Sequence, residues 1–148
     1  MRKVVFLGIA GVLASAIAAA AVKPETAIRY RQSVYTVIGW NFVPLVKMMK
    51  GDAPWDSAAF AKHAERIAAL TPQLIEGFPE GSDKGADTEA KPEIWKSMDD
   101  FKSKMDELVT QSKALADIAK GGDEAKIRDQ FKKTAGACKS CHDKYRAE

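Results

Sequence analysis

Near its C-terminus the chain reads Ala137-Cys138-Lys139-Ser140-Cys141-His142-Asp143-Lys144-Tyr145-Arg146. Two cysteines three residues apart, followed at once by a histidine, form the C-x-x-C-H pattern of covalent haem attachment. Each thiol adds across one vinyl group of the porphyrin, and the histidine then meets the iron as an axial ligand. The motif constrains the fold strongly, because the residues around it must enclose a flat macrocycle. Both of the chain's cysteines lie in it, so none remains for a structural disulfide. Other uses of the pair fit less well. A thiol–disulfide redox pair sits in a βαβ context, which is missing here. A tetrahedral zinc site wants four ligands, and the only other histidine, His63, is remote in sequence. The motif therefore predicts one covalent haem c per chain, held by Cys138 and Cys141, with His142 as the ligand to iron.

Export agrees with that reading, since haem of this kind is fixed to its apoprotein outside the cytoplasm. Residues 1–21 have the form of a secretory signal peptide: Arg2 and Lys3 lead, Val4 to Ile17 is uncharged and apolar, and Ala18 to Ala21 offers an A-x-A cleavage site. The apolar run is short for a spanning helix, with an uncleaved anchor as the alternative. Removing the leader takes two positive charges and lowers the net charge from +3 to +1. So balanced a surface excludes nucleic acid and anionic membrane as expected partners. Residues 22–148 are expected to form a single soluble domain, periplasmic in a Gram-negative cell.

Helical spacing dominates that domain, and strand alternation is scarce. A first helix is expected from Lys23-Pro24 to Gly51, with proline in the first turn and glycine past the last. Ile28, Tyr35, Phe42 and Met49 recur along it every seven residues, with Ile38 and Leu45 between them, as in a bundle core. Pro44 predicts a kink. A second helix runs from an Asp56 cap to near Gly77, with Phe60, Ile67, Leu70 and Leu74 inward and a break at Thr71-Pro72. His63 falls beside that face; it is read as a surface histidine, with a sixth iron ligand as the alternative. After a polar loop at 77–92, Pro92 opens a third helix whose inward residues run from Ile94 to Ile118, and Gly121-Gly122 stops it. Asp123 caps a fourth, along which Ile127, Phe131, Cys138, Cys141, His142 and Tyr145 occupy adjoining inward positions. The pattern predicts an all-α, antiparallel, up-down-up-down four-helix bundle.

One position breaks the first stripe. Arg31 stands seven residues before Ile38, and a guanidinium on a core stripe costs on the order of several kcal/mol unless an anion meets it. Haem brings two propionates, and arginine suits bidentate carboxylate pairing, so Arg31 with Gln32 beside it is read as a propionate contact. The alternative is an arginine that snorkels out at the end of the bundle. Thr88 and Glu89, on chemistry alone, read as solvated loop residues. Val34, Val37 and Met48 form a second apolar face on the first helix, either a dimer contact or simply a broad core face.

A four-helix pattern with C-x-x-C-H near its C-terminal end resembles the cytochrome c′ family. The resemblance rests on Tyr30-Arg31-Gln32-Ser33 with Tyr35, on Gly39-Trp40-Asn41, on Lys91-Pro92-Glu93-Ile94-Trp95 and on Cys138 to Arg146. It implies a periplasmic homodimer pairing through its first two helices, with a five-coordinate, high-spin haem iron. It further implies haem contacts from Arg31 and Gln32 and from Thr88 and Glu89, with Arg146 near the imidazole of His142. The distal position, four residues after the arginine, is Tyr35, where many members have an apolar residue.

An iron shielded by Tyr35 and not ligated by it favours small neutral gases such as NO and CO over anions. Gas binding, with NO sequestration or detoxification as the role, is thus the first functional reading. An electron carrier with a periplasmic donor is the alternative, and would want a sixth protein ligand. Met48, Met49, Met98 and Met105 read as core or surface methionines. A peroxidase wants a distal histidine or arginine, and the stripe offers Tyr35, Ile38 and Phe42 instead. No enzymatic activity is expected.

Overall fold

Proline at one end and glycine at the other bound the first helix, α1 (Pro24–Lys50), as the sequence predicts. Gly51 turns out of it with φ 80°, a left-handed conformation that glycine adopts without steric cost. This turn lets the next N–H, from Asp52, close back on the Lys47 carbonyl at 2.9 Å. The computed structural model describes residues 22–147, and the expected export signal lies outside the described residues.

The second helix, α2 (Ser57–Leu70), starts where the Asp56 carboxylate accepts the Ala59 N–H at 2.9 Å. At Thr71-Pro72 it tightens into a 3-10 turn, Thr71–Gly77, because proline has no N–H to continue the α ladder. The expected break is therefore present.

The expected third helix needs correction: it is two helices, α3 (Glu93–Lys96) and α4 (Met98–Lys120), separated by Ser97 at φ −133° and ψ 46°. Two anchors explain the break. On α3 the Trp95 indole donates to the Pro79 carbonyl at 2.9 Å, tying the short helix to the preceding loop. On α4 Phe101 sits in the core, edge-on to Phe78 at 4.8 Å between ring centroids. One non-helical residue between them satisfies both. The last helix, α5 (Glu124–Tyr145), is capped by the Asp123 side chain on the Lys126 N–H at 3.1 Å.

Cross-helix contacts establish antiparallel packing. Arg31 near the start of α1 meets Gly77 at the end of the 3-10 turn. Thr71 pairs with Ser112 of α4 at 2.8 Å. Between α4 and α5, Lys104 reaches Ser140 and Gln111 meets both Gln130 and Thr134. Neighbouring pairs are thus α1–α2, α2–α4 and α4–α5, which makes an up-down-up-down four-helix bundle. No described helix is long and apolar enough to cross a membrane.

The core divides into two clusters along the bundle axis. One holds Leu45, Phe60, Ile67, Leu115, Ile127 and Phe131; the other holds Leu74, Phe78, Ile94, Phe101, Met105 and Tyr145. Each fully enclosed side chain of this kind contributes about 1.5–3 kcal/mol of transfer free energy. The fourth side of the bundle, between α1 and α5, closes at the first cluster. There Phe42 stacks on Phe131 at 5.1 Å, and Arg128 Nη1 donates to the Met49 carbonyl at 2.9 Å. Beyond that point a cavity separates the two helices.

A second correction concerns the outer face of α1. Val34 and Met48 are buried in the core, only 8% and 7% exposed, whereas Val37, Trp40 and Val43 face outward at 47%, 78% and 52%. The helix is apolar on two sides, so the stripe could not reveal which members turn inward.

Candidate functional site

The cavity between α1 and α5 has a volume of about 880 Å³, toward the upper end of the range for enclosed ligand sites. On α5 the helical repeat brings Cys138 and Cys141 to one side, one turn apart, and both half-buried thiols line it together with His142. Burial raises the Cys138 thiol above its ordinary range and pushes Cys141 up to about 11. Both are therefore protonated thiols at neutral pH. Burial, helped by the positive charge of Arg146, lowers the His142 imidazole below its ordinary value. It stands neutral, the form that offers a ring nitrogen to a metal.

The facing wall is α1, where Arg31, Gln32, Tyr35, Ile38 and Phe42 line the cavity. Tyr35, Ile38 and Phe42 remain only half-buried although the sequence places them on the core stripe. The cavity they line is the reason.

Arg31 is 2% exposed, so the alternative in which it snorkels into solvent is overturned. Its Nη1 donates to the Gly77 carbonyl at 3.0 Å and to Ser82 Oγ at 3.1 Å. Its Nη2 donates to the Ser82 carbonyl at 3.0 Å and to Thr88 Oγ1 at 2.9 Å. The guanidinium also lies over Phe78 and Trp95, 4.8 Å and 5.5 Å from their ring centres. All four acceptors are uncharged, and among the described residues no carboxylate forms an ion pair with it. Burial lowers its proton affinity, yet an arginine keeps its proton inside proteins. A buried cation of this kind, at the edge of the cavity, is the feature an anionic cofactor edge would answer.

Gln32 donates through Nε2 to the Asp87 carbonyl at 3.0 Å and so ties the loop to α1. Thr88 is not simply solvated, as residue chemistry alone suggested: its hydroxyl oxygen accepts from Arg31 and from the Ala90 N–H at 3.2 Å. Glu89 pairs with Arg146 Nε. Around that pair the loop is zipped to the end of α5, with Lys91 N–H on the Tyr145 carbonyl and Ala147 N–H on the Glu89 carbonyl at 2.9 and 2.7 Å. The structure therefore brings Arg31, Gln32, Tyr35, Thr88, Glu89, Cys138, Cys141, His142 and Arg146 around one cavity.

The other candidates fall elsewhere. His63 is absent from the lining and borders a smaller hollow beside Trp40. Its Nδ1 meets Asn41 Oδ1 at 3.0 Å, while Asn41 Nδ2 donates to the Val37 carbonyl. Of the methionines, Met105 alone lines the cavity among the described residues, in one buried cluster with Phe101 and Leu108.

Sequence reasoning missed Ser82, fully buried and bonded twice to Arg31, and the Phe78 and Trp95 rings around it. Only the odd position of Arg31 hinted that such partners must exist. Two thiols and a neutral imidazole on one wall, with a buried cation at the rim of the other, fit haem. The thiols suit its vinyl groups, the imidazole its iron and the cation its propionates.

Comparison with known proteins agrees. The family model described as Cytochrome C' matches residues 26–146. Cytochrome c' of Rubrivivax gelatinosus is 38% identical over 124 residues, spanning 84% of this chain and 96% of that one. Among solved structures, cytochrome c prime from Shewanella frigidimarina superposes with a TM-score of 0.82 at 43% identity, over 85% of this chain and 98% of that one. A nitric oxide complex of a variant cytochrome c prime from Alcaligenes xylosoxidans superposes with a TM-score of 0.78 at 34% identity, over 86% and 98%.

Proposed function

The chain belongs to the cytochrome c′ family and carries covalently attached haem c; from that premise we propose that it is a periplasmic gas-binding protein, taking NO and CO at an iron with one protein ligand, and that it sequesters or detoxifies NO. The observation that carries this reading is the composition of the α1 wall. It faces Cys138, Cys141 and His142 across the cavity with Tyr35, Ile38 and Phe42, and offers neither an imidazole nor a thioether.

When bound, the haem supplies an iron that takes a diatomic ligand or exchanges one electron. The protein's own residues do the rest. The Cys138 and Cys141 thiols would form the two attachments, and His142 would offer its neutral nitrogen to the iron. Arg31 and Gln32 would meet the propionate edge, Thr88 and Glu89 would border the haem, and Arg146 stands beside His142. Tyr35, on the facing wall of the cavity, would shield the iron without ligating it, so an incoming ligand would have to move an aromatic ring. Arg31 is engaged by the loop, which leaves the α1 wall no mobile cation to recruit anions or to assist O–O cleavage. Binding, not catalysis, follows.

Residues 1–21 serve as the export signal and 22–148 as the haem domain. A second copy of the chain covers Val37, Trp40 and Val43, since a cluster of exposed apolar side chains on one helix is what a self-complementary interface needs. The Alcaligenes relative's nitric oxide complex supports the choice of gas.

The alternative, an electron carrier between periplasmic redox proteins, draws on Met105, the one thioether in the lining. Titration of the purified ferrous protein with NO and CO decides between them. A broad Soret band that shifts with both gases is expected; sharp bands indifferent to CO would favour the carrier.

A further inference from the structure

Polar side chains on the α1 wall of the cavity can be followed to their partners. Arg31 directs both terminal nitrogens into the loop, and Gln32 donates to the Asp87 carbonyl. Thr36 donates to the Gln32 carbonyl at 2.8 Å. Tyr35 stands between them in sequence and lines the cavity, yet its hydroxyl has no hydrogen-bond partner among the described residues. By contrast, the phenols of Tyr30 and Tyr145 each meet a carboxylate, Glu76 and Asp100. No fully buried side-chain polar atom lacks a partner among the described residues, and Tyr35 is only half-buried, so its hydroxyl is left open to pair with whatever enters the cavity it lines.

Its surroundings fix its protonation state. Burial, first of all, drives the Tyr35 phenol far above its ordinary range, followed by the Cys141 and Cys138 sulfurs. Arg31 and Arg146 pull it only partly back. Thioether formation leaves the sulfurs unable to ionise, and the burial remains. The group stays a neutral O–H, and a neutral phenol is a donor.

We infer that Tyr35 is a specificity-determining residue whose O–H, unpartnered in the resting protein, donates a hydrogen bond to the outer atom of a diatomic ligand in the cavity. This rests on the gas-binding reading and adds a chemical preference to it. The ring sets an upper limit on ligand size, while the hydroxyl favours diatomics that gather negative charge on the outer atom when bound. An apolar residue at the same position would supply the first effect and not the second.

The test compares the holoprotein with Tyr35→Phe and Tyr35→Leu, using CO as the probe. Phenylalanine keeps the ring and deletes only the donor; leucine also opens space. Loss of the hydrogen bond is expected to raise the infrared C–O stretching frequency in both variants. It is also expected to speed CO dissociation roughly three- to tenfold in Tyr35→Phe. A stretching frequency and dissociation rate unchanged in Tyr35→Phe, with CO bound normally, would overturn the inference and leave gas binding standing. An iron that takes no CO in the parent protein would overturn both.

Discussion

Arg31 and Gly77 touch through their backbones: a Cβ placed on Gly77 would stand 2.5 Å from the Arg31 Cβ and 3.1 Å from its Cα. The same pair is joined by the hydrogen bond from Arg31 Nη1 to the Gly77 carbonyl. Close approach of the 3-10 turn to α1 is thus what lets the guanidinium reach the turn, and only glycine permits it.

Gly77→Ala should therefore push the turn away from α1. Because the atoms in the way are a Cβ and backbone, neither can swing aside, and the cost is about 1–3 kcal/mol. A thermal melt of the holoprotein should show a lower midpoint. An unchanged midpoint would mean that the contact is looser than described.

Replacing Arg31 by Met removes four hydrogen bonds and leaves buried acceptors on Gly77 and Ser82 without donors. Destabilisation of about 2–4 kcal/mol is expected by denaturant unfolding. Removal of a positive charge beside the propionate edge also favours the ferric state, so the midpoint potential should fall. Arg31→Lys, which keeps the charge but not the fork, should restore more of the potential than of the stability.

In acid, below the ordinary carboxyl range, the zipper between the loop and α5 should open. The hydrogen bond and charge of Arg146 hold the Glu89 carboxyl below its ordinary value of 4.5. A lowered folded-state value contributes stability that is fully present above the ordinary one, and is lost as pH falls through the lowered one. Amide exchange at Lys91 and Ala147 should stay slow at pH 6 and accelerate under acid. Glu89→Gln should make it fast at both.

Trp40→Glu places a charge in the middle of the exposed Val37, Trp40 and Val43 cluster. Sedimentation should report a dimer for the parent and a monomer for the variant, with the ferrous spectrum unchanged because Trp40 does not line the haem cavity. A parent that sediments as a monomer would refute the assigned interface.

Much of this architecture was legible because local chemistry announces itself. Pro24, Gly51, Asp56, Pro72 and Asp123 mark helix limits through steric and hydrogen-bonding rules that act within a few residues. Cys138 and Cys141 were placed on an inward helix face by spacing alone, whereas His142, expected inward with them, lines the cavity but is otherwise exposed. Ser97 was not recognised as a break, since Ile94, Trp95, Met98 and Phe101 keep helical spacing straight through it. The break is imposed by Pro79 and Phe78, which are distant in sequence. Arg31 showed that it needed partners, but nothing local pointed to Ser82, fifty-one residues away. Nor could spacing tell Val34 from Val37, because α1 is apolar on both faces.

The central claim is that His142 is the only protein ligand to the iron. Resonance Raman spectroscopy of the ferrous protein without added ligand tests it directly. An iron–histidine stretching band together with high-spin, five-coordinate marker bands is the predicted result. Low-spin, six-coordinate bands with no such stretch would contradict it and point to Met105 as the second ligand.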